Sequence, residues 1–130
     1  MIQQTELVVT KWQFQEPLNY NEASNELNSF VSFDVMKKTA PTKKGIACRF
    51  SCQFIIKDVT ILDYVAENSY VIDIEEVIDK KELHTMIRNT YALFKEKFDV
   101  RKLGTMLQNK SLKIVDETKY DLAPVLQLLN

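Results

Sequence analysis

The stretch Ile46-Ala47-Cys48-Arg49-Phe50-Ser51-Cys52-Gln53-Phe54-Ile55-Ile56 decides the fold of this chain. Ile46, Cys48, Phe50, Cys52, Phe54 and Ile56 are apolar, with Arg49, Ser51 and Gln53 polar between them. Alternation at period two over such a length means a long strand with one buried face. Immediately before it, Lys37-Lys38-Thr39-Ala40-Pro41-Thr42-Lys43-Lys44-Gly45 combines turn formers with lysines and reads as a solvated hairpin tip. On the far side of that tip Ser29 to Lys37 alternates again, with Val31, Phe33 and Val35 opposite Ser32 and Asp34.

Further towards the amino terminus, Asn19 to Asn28 is rich in Asn and Glu and reads as an exposed connection. Glu6 to Gln15 is β-branched and aromatic, and period two places Val8, Thr10, Trp12 and Phe14 on one face of a strand that closes near Pro17. In the other direction, Thr60 to Asn68 can extend or break a strand. Tyr70, Ile72 and Ile74 then alternate with Val71, Asp73 and Glu75, a fourth strand.

At Asp79 the period changes to that of a helix. Asp79 with Glu82 three residues on forms a capping box, and Leu83, Met86, Ile87, Thr90, Tyr91, Phe94 and Phe98 make one apolar stripe running towards Leu103 and Gly104. The tail shows a short alternation at Leu112, Ile114 and Val115. Asp121 is a candidate cap for a brief helix through Leu122, Val125, Leu126 and Leu129, whose apolar ending is expected to dock. Four consecutive strands followed by helices predict an α+β fold: an antiparallel meander or Greek-key sheet with a long helix and a short carboxy-terminal helix on one face.

The 130 residues suit a single domain spanning 1–130, and 45% hydrophobic with 27% charged residues is the balance of a globular chain. A formal net charge of −1 gives no field that favours nucleic acid or an anionic membrane. Neither a leader pattern nor an apolar run long enough to span a bilayer is visible, so the expected location is the cytoplasm, without membrane insertion.

Motifs for chemistry are missing. Gly45 and Gly104 are too far apart for a phosphate loop. Cys48 and Cys52 on one strand lie about 13 Å apart, too far for a mutual disulfide or a shared ion, and read as small core residues. The single histidine, His84, reads as an exposed helix residue. Glu75/Glu76 and Asp116/Glu117 are adjacent pairs that point to opposite faces and read as solvated surface. No catalytic, cofactor or metal residues are therefore assigned, and a pair of distant carboxylates brought together by folding stays open as an enzymatic alternative.

The order of elements resembles the SecB-like family of export chaperones. Val8-Val9-Thr10-Lys11-Trp12-Gln13-Phe14-Gln15-Glu16-Pro17 is similar to that family's opening strand, Asn28 to Val35 to its second and Gly45 to Ile56 to its third. The family's helical Leu-Phe-Pro-Tyr-x-Arg motif is reduced here to Leu93-Phe94 followed by Lys95-Glu96, without the proline, and recognition of the export ATPase is not carried over. What the resemblance implies is a sheet that pairs with a second copy, as a dimer or tetramer, and an apolar surface for unfolded or extended polypeptide.

A holdase needs exposed apolar surface, because its burial contributes about 25 cal/mol per Å² whatever the client sequence. Candidates for that surface are Leu7, Val9, Trp12, Phe14, Phe30, Ile55, Tyr64 and Tyr70. Phe33 and Phe50 read as core. The alternative is a non-chaperone interaction or structural protein, such as a phage or accessory factor, that uses the same fold for one folded partner.

Overall fold

The computed structural model describes residues 2–15, 27–39, 41–112 and 121–130, with backbone alone for 27–39, Leu128 and Leu129. Its elements are β1 (Gln3–Gln4), β2 (Val8–Phe14), β3 (Leu27–Thr39), β4 (Lys43–Ile56), β5 (Val59–Asp73), α1 (Lys80–Arg101) and α2 (Ala123–Leu129). All strand pairs are antiparallel. β3, β4 and β5 form a meander, and β1 and β2 line up end to end along the free side of β5, so the sheet is four strands wide. The first strand thus returns beside the last of the meander, which is the Greek-key alternative of the two topologies expected.

The alternation of β4 does what its sequence requires. Ile46, Cys48, Phe50, Cys52 and Phe54 are all at most 2% exposed, on the face that α1 covers. Leu62, Tyr64, Ala66, Asn68, Tyr70 and Ile72 of β5 share that face by register, for Tyr64 stands opposite Cys52 and Tyr70 opposite Ile46. On α1 the buried residues are Leu83, Met86, Ile87, Thr90, Phe94 and Phe98, the predicted stripe, while Tyr91 is half-buried beside it. Asp79 is the N-cap: its carboxylate accepts the Glu82 amide at 2.7 Å, and the Glu82 side chain accepts the Asp79 amide. The helix ends at Lys102, and Gly104 follows at φ +78, a backbone that glycine adopts without strain.

Several boundaries differ from the sequence reading. The lysine-rich tip is shorter, because β3 runs through Lys37 and Lys38 and β4 begins at Lys43. β4 is central, so Lys43 finds a ladder partner in Asp73, which it also meets as an ion pair. The Thr60 to Asn68 segment is strand throughout, part of a fifteen-residue β5. What separates β4 from β5 is only Lys57-Asp58, both at positive φ (48 and 67), a two-residue type I′ turn without the usual glycine.

Two bulges shift the faces. The ladder between β2 and β5 slips between Val9 and Lys11, leaving Thr10 as the extra residue. Val9 therefore stands opposite Ala66, and Trp12 opposite Tyr64, all on the helix side, whereas Val8 stands opposite Glu67 on the other face. This corrects the expected grouping of Val8 and Thr10 with Trp12 and Phe14. A second slip, at Ile61, falls between the pairs Phe54–Leu62 and Ile55–Thr60.

Beyond α1, Leu107 and Leu112 are buried, and Leu122 joins the same core. Asp121 accepts the Ala123 amide at 3.1 Å, although the N-cap position itself is Leu122. The end of the chain docks as expected: Asn130 accepts the Ile78 amide at 3.0 Å and donates to the Ile78 carbonyl at 2.8 Å. Leu112 is in no strand, and Ile114, Val115, the Asp116/Glu117 pair and most of the Asn19 to Asn28 connection lie outside the described residues. No described helix is long and apolar enough to cross a membrane.

Candidate binding groove along the sheet edge

Where β1 and β2 flank α1, the sheet has an edge whose outer hydrogen-bonding groups meet no strand among the described residues. The edge is interrupted between Gln4 and Val8. There Thr5 continues the ladder with its amide to the Ser69 carbonyl (2.8 Å) and its hydroxyl accepting the Ser69 amide (2.8 Å). Such a break, with a bulge at Thr10, makes a poor template for long regular strand addition. Side chains in the adjoining groove are a better means of contact.

Between the edge strands and one flank of α1 lie a cleft at one end and the packing of Trp12 at the other. Phe50 of β4 meets Tyr91 with ring centroids 5.2 Å apart, so the Tyr91 flank lies over β4 and the opposite flank faces β1 and β2. Successive helical residues turn by about 100°, which puts Met86, Leu93, Lys97 and Val100 on this second flank. At one end Ile2 and Gln4 join Met86 and Asn89 around a cleft of about 360 Å³. In the middle, Val9 and Leu93 are half-buried against the core. At the other end Trp12 packs edge-on against Tyr64 (5.2 Å) and tilted against Phe98 (6.3 Å), with the Arg101 guanidinium 5.5 Å from its ring centre. Ile2 and Val100 are 37% and 66% exposed, so the groove has apolar walls open to solvent.

The residues proposed from sequence fall in different places. Val9 and Trp12 come together in the groove. Phe14 is half-buried beside a second cleft, of about 490 Å³, that Trp12 and Ile61 share. Leu7 is 3% exposed and part of the core. Ile55 is half-buried on the other sheet face, and Phe30 stands opposite Gln53 in the register, its side chain outside the described set. Tyr64 and Tyr70 lie beneath α1, 0% and 2% exposed. The Tyr64 hydroxyl donates to the Phe94 carbonyl at 2.9 Å. That of Tyr70 lies 2.8 Å from the Met86 carbonyl and 2.9 Å from Thr90 Oγ1, and Thr90 in turn donates to Asn68 Oδ1 at 2.6 Å. These hydroxyls tie the helix to the sheet and hold one wall of the groove in place. The sequence reading missed Ile2, Leu93, Lys97 and Val100. The available signal was an apolar Leu93 and Val100 lying off the core stripe at helical spacing.

Neither thiol is poised as a nucleophile. Burial pushes the Cys48 thiol up to about 11, partly offset by a hydrogen bond with Thr90. Burial also pushes Cys52 up to about 12, with the Asp63 charge acting in the same direction. Both are free thiols, far from the thiolate that a nucleophile or metal ligand requires. His84 is half-buried rather than exposed, and its Nε2 has no hydrogen-bond partner among the described residues. Among the described residues no three His, Cys, Asp or Glu side chains gather into a metal site.

No family model and no curated protein matches the chain. Solved structures do. A SecB-like chaperone from Mycobacterium tuberculosis, in complex with a ChAD peptide from the HigA1 antitoxin, superposes with a TM-score of 0.55 at 14% identity, covering 88% of this chain and 90% of that one. A protein of unknown function from Streptococcus agalactiae aligns with a TM-score of 0.46 at 13% identity, covering 89% of this chain and 98% of that one. The fold is SecB-like.

Proposed function

We propose that this protein is a molecular chaperone of the holdase type, which binds unfolded or extended polypeptide in the groove between the β1–β2 edge and α1. The observation that carries the reading is the placement of Trp12: half-buried on an interior aromatic cluster, in a groove whose walls at Ile2 and Val100 remain open. A preformed apolar channel gains free energy from any apolar side chain that enters it and asks little of client sequence. The SecB-like neighbour solved with a peptide supports the same reading. Val9 and Trp12, joined by Leu93 and Val100, form the contact surface, while Leu7, Tyr64 and Tyr70 support it from inside. The protein acts by binding, without catalysis or cofactor, in the cytoplasm, and as a homo-oligomer.

An unrelated client that aggregates on dilution from denaturant tests this. Light scattering is expected to fall in proportion to added protein and to vanish near stoichiometric amounts. Trp12→Ala is expected to weaken that protection several-fold while circular dichroism stays native. Undiminished scattering by a well-folded protein would remove the holdase reading, and light scattering of the protein alone reports its oligomeric state.

A further inference from the structure

Resting on that groove reading, we propose that the Trp12 end of the groove selects extended segments in which apolar side chains alternate with carboxylates. The cations near this end divide into two groups. Lys11 is paired with Asp63 at 2.6 Å. Lys102 is held by Asp99 (3.0 Å), by the Lys110 carbonyl (2.6 Å) and over the Phe98 ring (5.4 Å). Lys97 and Arg101, one helical turn apart, have no acidic partner among the described residues. Lys97 is half-buried on the groove flank, and Arg101 lies over Trp12.

Lys97, half-buried, gains more from an arriving carboxylate than it would in open water, and Arg101, exposed but held against the Trp12 ring, presents its guanidinium beside it. Glu96, the neighbour of Lys97 in sequence, points about 100° away from it around the helix and does not answer it. At the other end of the groove the cleft beside Ile2 is lined by one lysine and one glutamate, Lys81 and Glu82, so its formal charges sum to zero. Selection therefore resides at the Trp12 end. With a formal net charge of −1, the whole molecule offers no long-range attraction for acids, so the preference is local. Apolar side chains would lie on Trp12, Leu93 and Val100, and the intervening carboxylates would reach Lys97 and Arg101.

Trp12 is the only tryptophan, so its emission reports this end of the groove directly. Three peptides of equal length are compared, with identical Leu and Phe positions and with Glu, Ser or Lys between them. Peptide anisotropy measures affinity and Trp12 emission measures location. The Glu peptide is expected to bind about five- to tenfold more tightly than the Ser peptide, with the Lys peptide weakest and the spread shrinking as salt is raised. Lys97→Gln, alone and with Arg101→Gln, is expected to bring the three affinities together, chiefly by weakening the Glu peptide. Equal affinities with a Trp12 response would overturn charge selection and leave the groove standing, and so would preference for the Lys peptide. Failure of all three to bind would remove the polypeptide reading as well. A Trp12 signal that changes with protein concentration alone would show a second copy in the groove and overturn the proposal.

Discussion

The Tyr64 hydroxyl donates to the Phe94 carbonyl at 2.9 Å while the two rings stack, 4.2 Å between centroids and 7° from parallel. One side chain of β5 thus fixes both the height and the rotation of α1, and with it the flank that walls the groove. Tyr64→Phe keeps the stack and loses the hydrogen bond, at a cost of about 0.5–1.5 kcal/mol. Tyr64→Ala loses both, at about 3–5 kcal/mol. Urea midpoints are expected to fall in that order with unchanged slope.

Asn130 and Ile78 make the second tie. Ile78 is 1% exposed, and both its backbone groups bond to the Asn130 side chain. Asn130→Ala leaves them unsatisfied and is expected to cost about 1–3 kcal/mol. Asn130→Asp keeps the acceptor for the Ile78 amide but loses the donor, and should fall between. Faster hydrogen exchange at the Ile78 amide, in excess of any global change, would identify the local cause.

Deleting Thr10 removes the extra residue of the β2 bulge and leaves Val9, Trp12 and Phe14 on the helix side. The cost should stay near 1–2 kcal/mol, within the ordinary range for a single change. Deleting Gln13 instead carries Trp12 to the place opposite Asp63, on the other face, and forfeits its packing, about 3–5 kcal/mol. Trp12 emission should stay native in the first variant and shift to the red in the second. Identical spectra would refute the bulge register.

High pH is expected to unfold the protein through buried acids. Burial raises Tyr91 from 10.0 to about 12 and Cys48 from 9.0 to about 11, and Tyr64 and Tyr70 also move up. The folded state holds these protons more tightly than the unfolded one. Their contribution is fully present below the unfolded values and is lost as pH rises from about 9 to about 12. The midpoint in urea should drop across that window. Simple tyrosinate titration near pH 10 without loss of structure would contradict it.

The long alternation from Ile46 to Ile56 and the stripe from Leu83 to Phe98 were legible because many residues repeat one message. The Thr10 bulge was not, since a single extra residue changes the faces of everything before it without any change in composition. The Thr60 to Asn68 segment was ambiguous for a different reason. Asn68 is buried in β5 because Thr90 satisfies it from across the core, a partner twenty-two positions away that no local pattern reveals. The groove was half legible: Val9 and Trp12 were among the apolar surface candidates, but its other wall required knowing which flank of α1 turns towards that strand.

The Greek-key order gives the groove a place in time. β2 comes early in the chain, yet its ladder partner β5 lies more than fifty residues downstream, as in the contact of Thr10 with Val65. The meander of β3, β4 and β5 closes through short connections, whereas the first strand must wait for a long loop to close and for Phe98 and Arg101 to be made. During its own synthesis the protein therefore carries Trp12 as an unpaired apolar strand. Until α1 arrives, Trp12 lacks the Phe98 and Arg101 contacts that hold it in the folded protein.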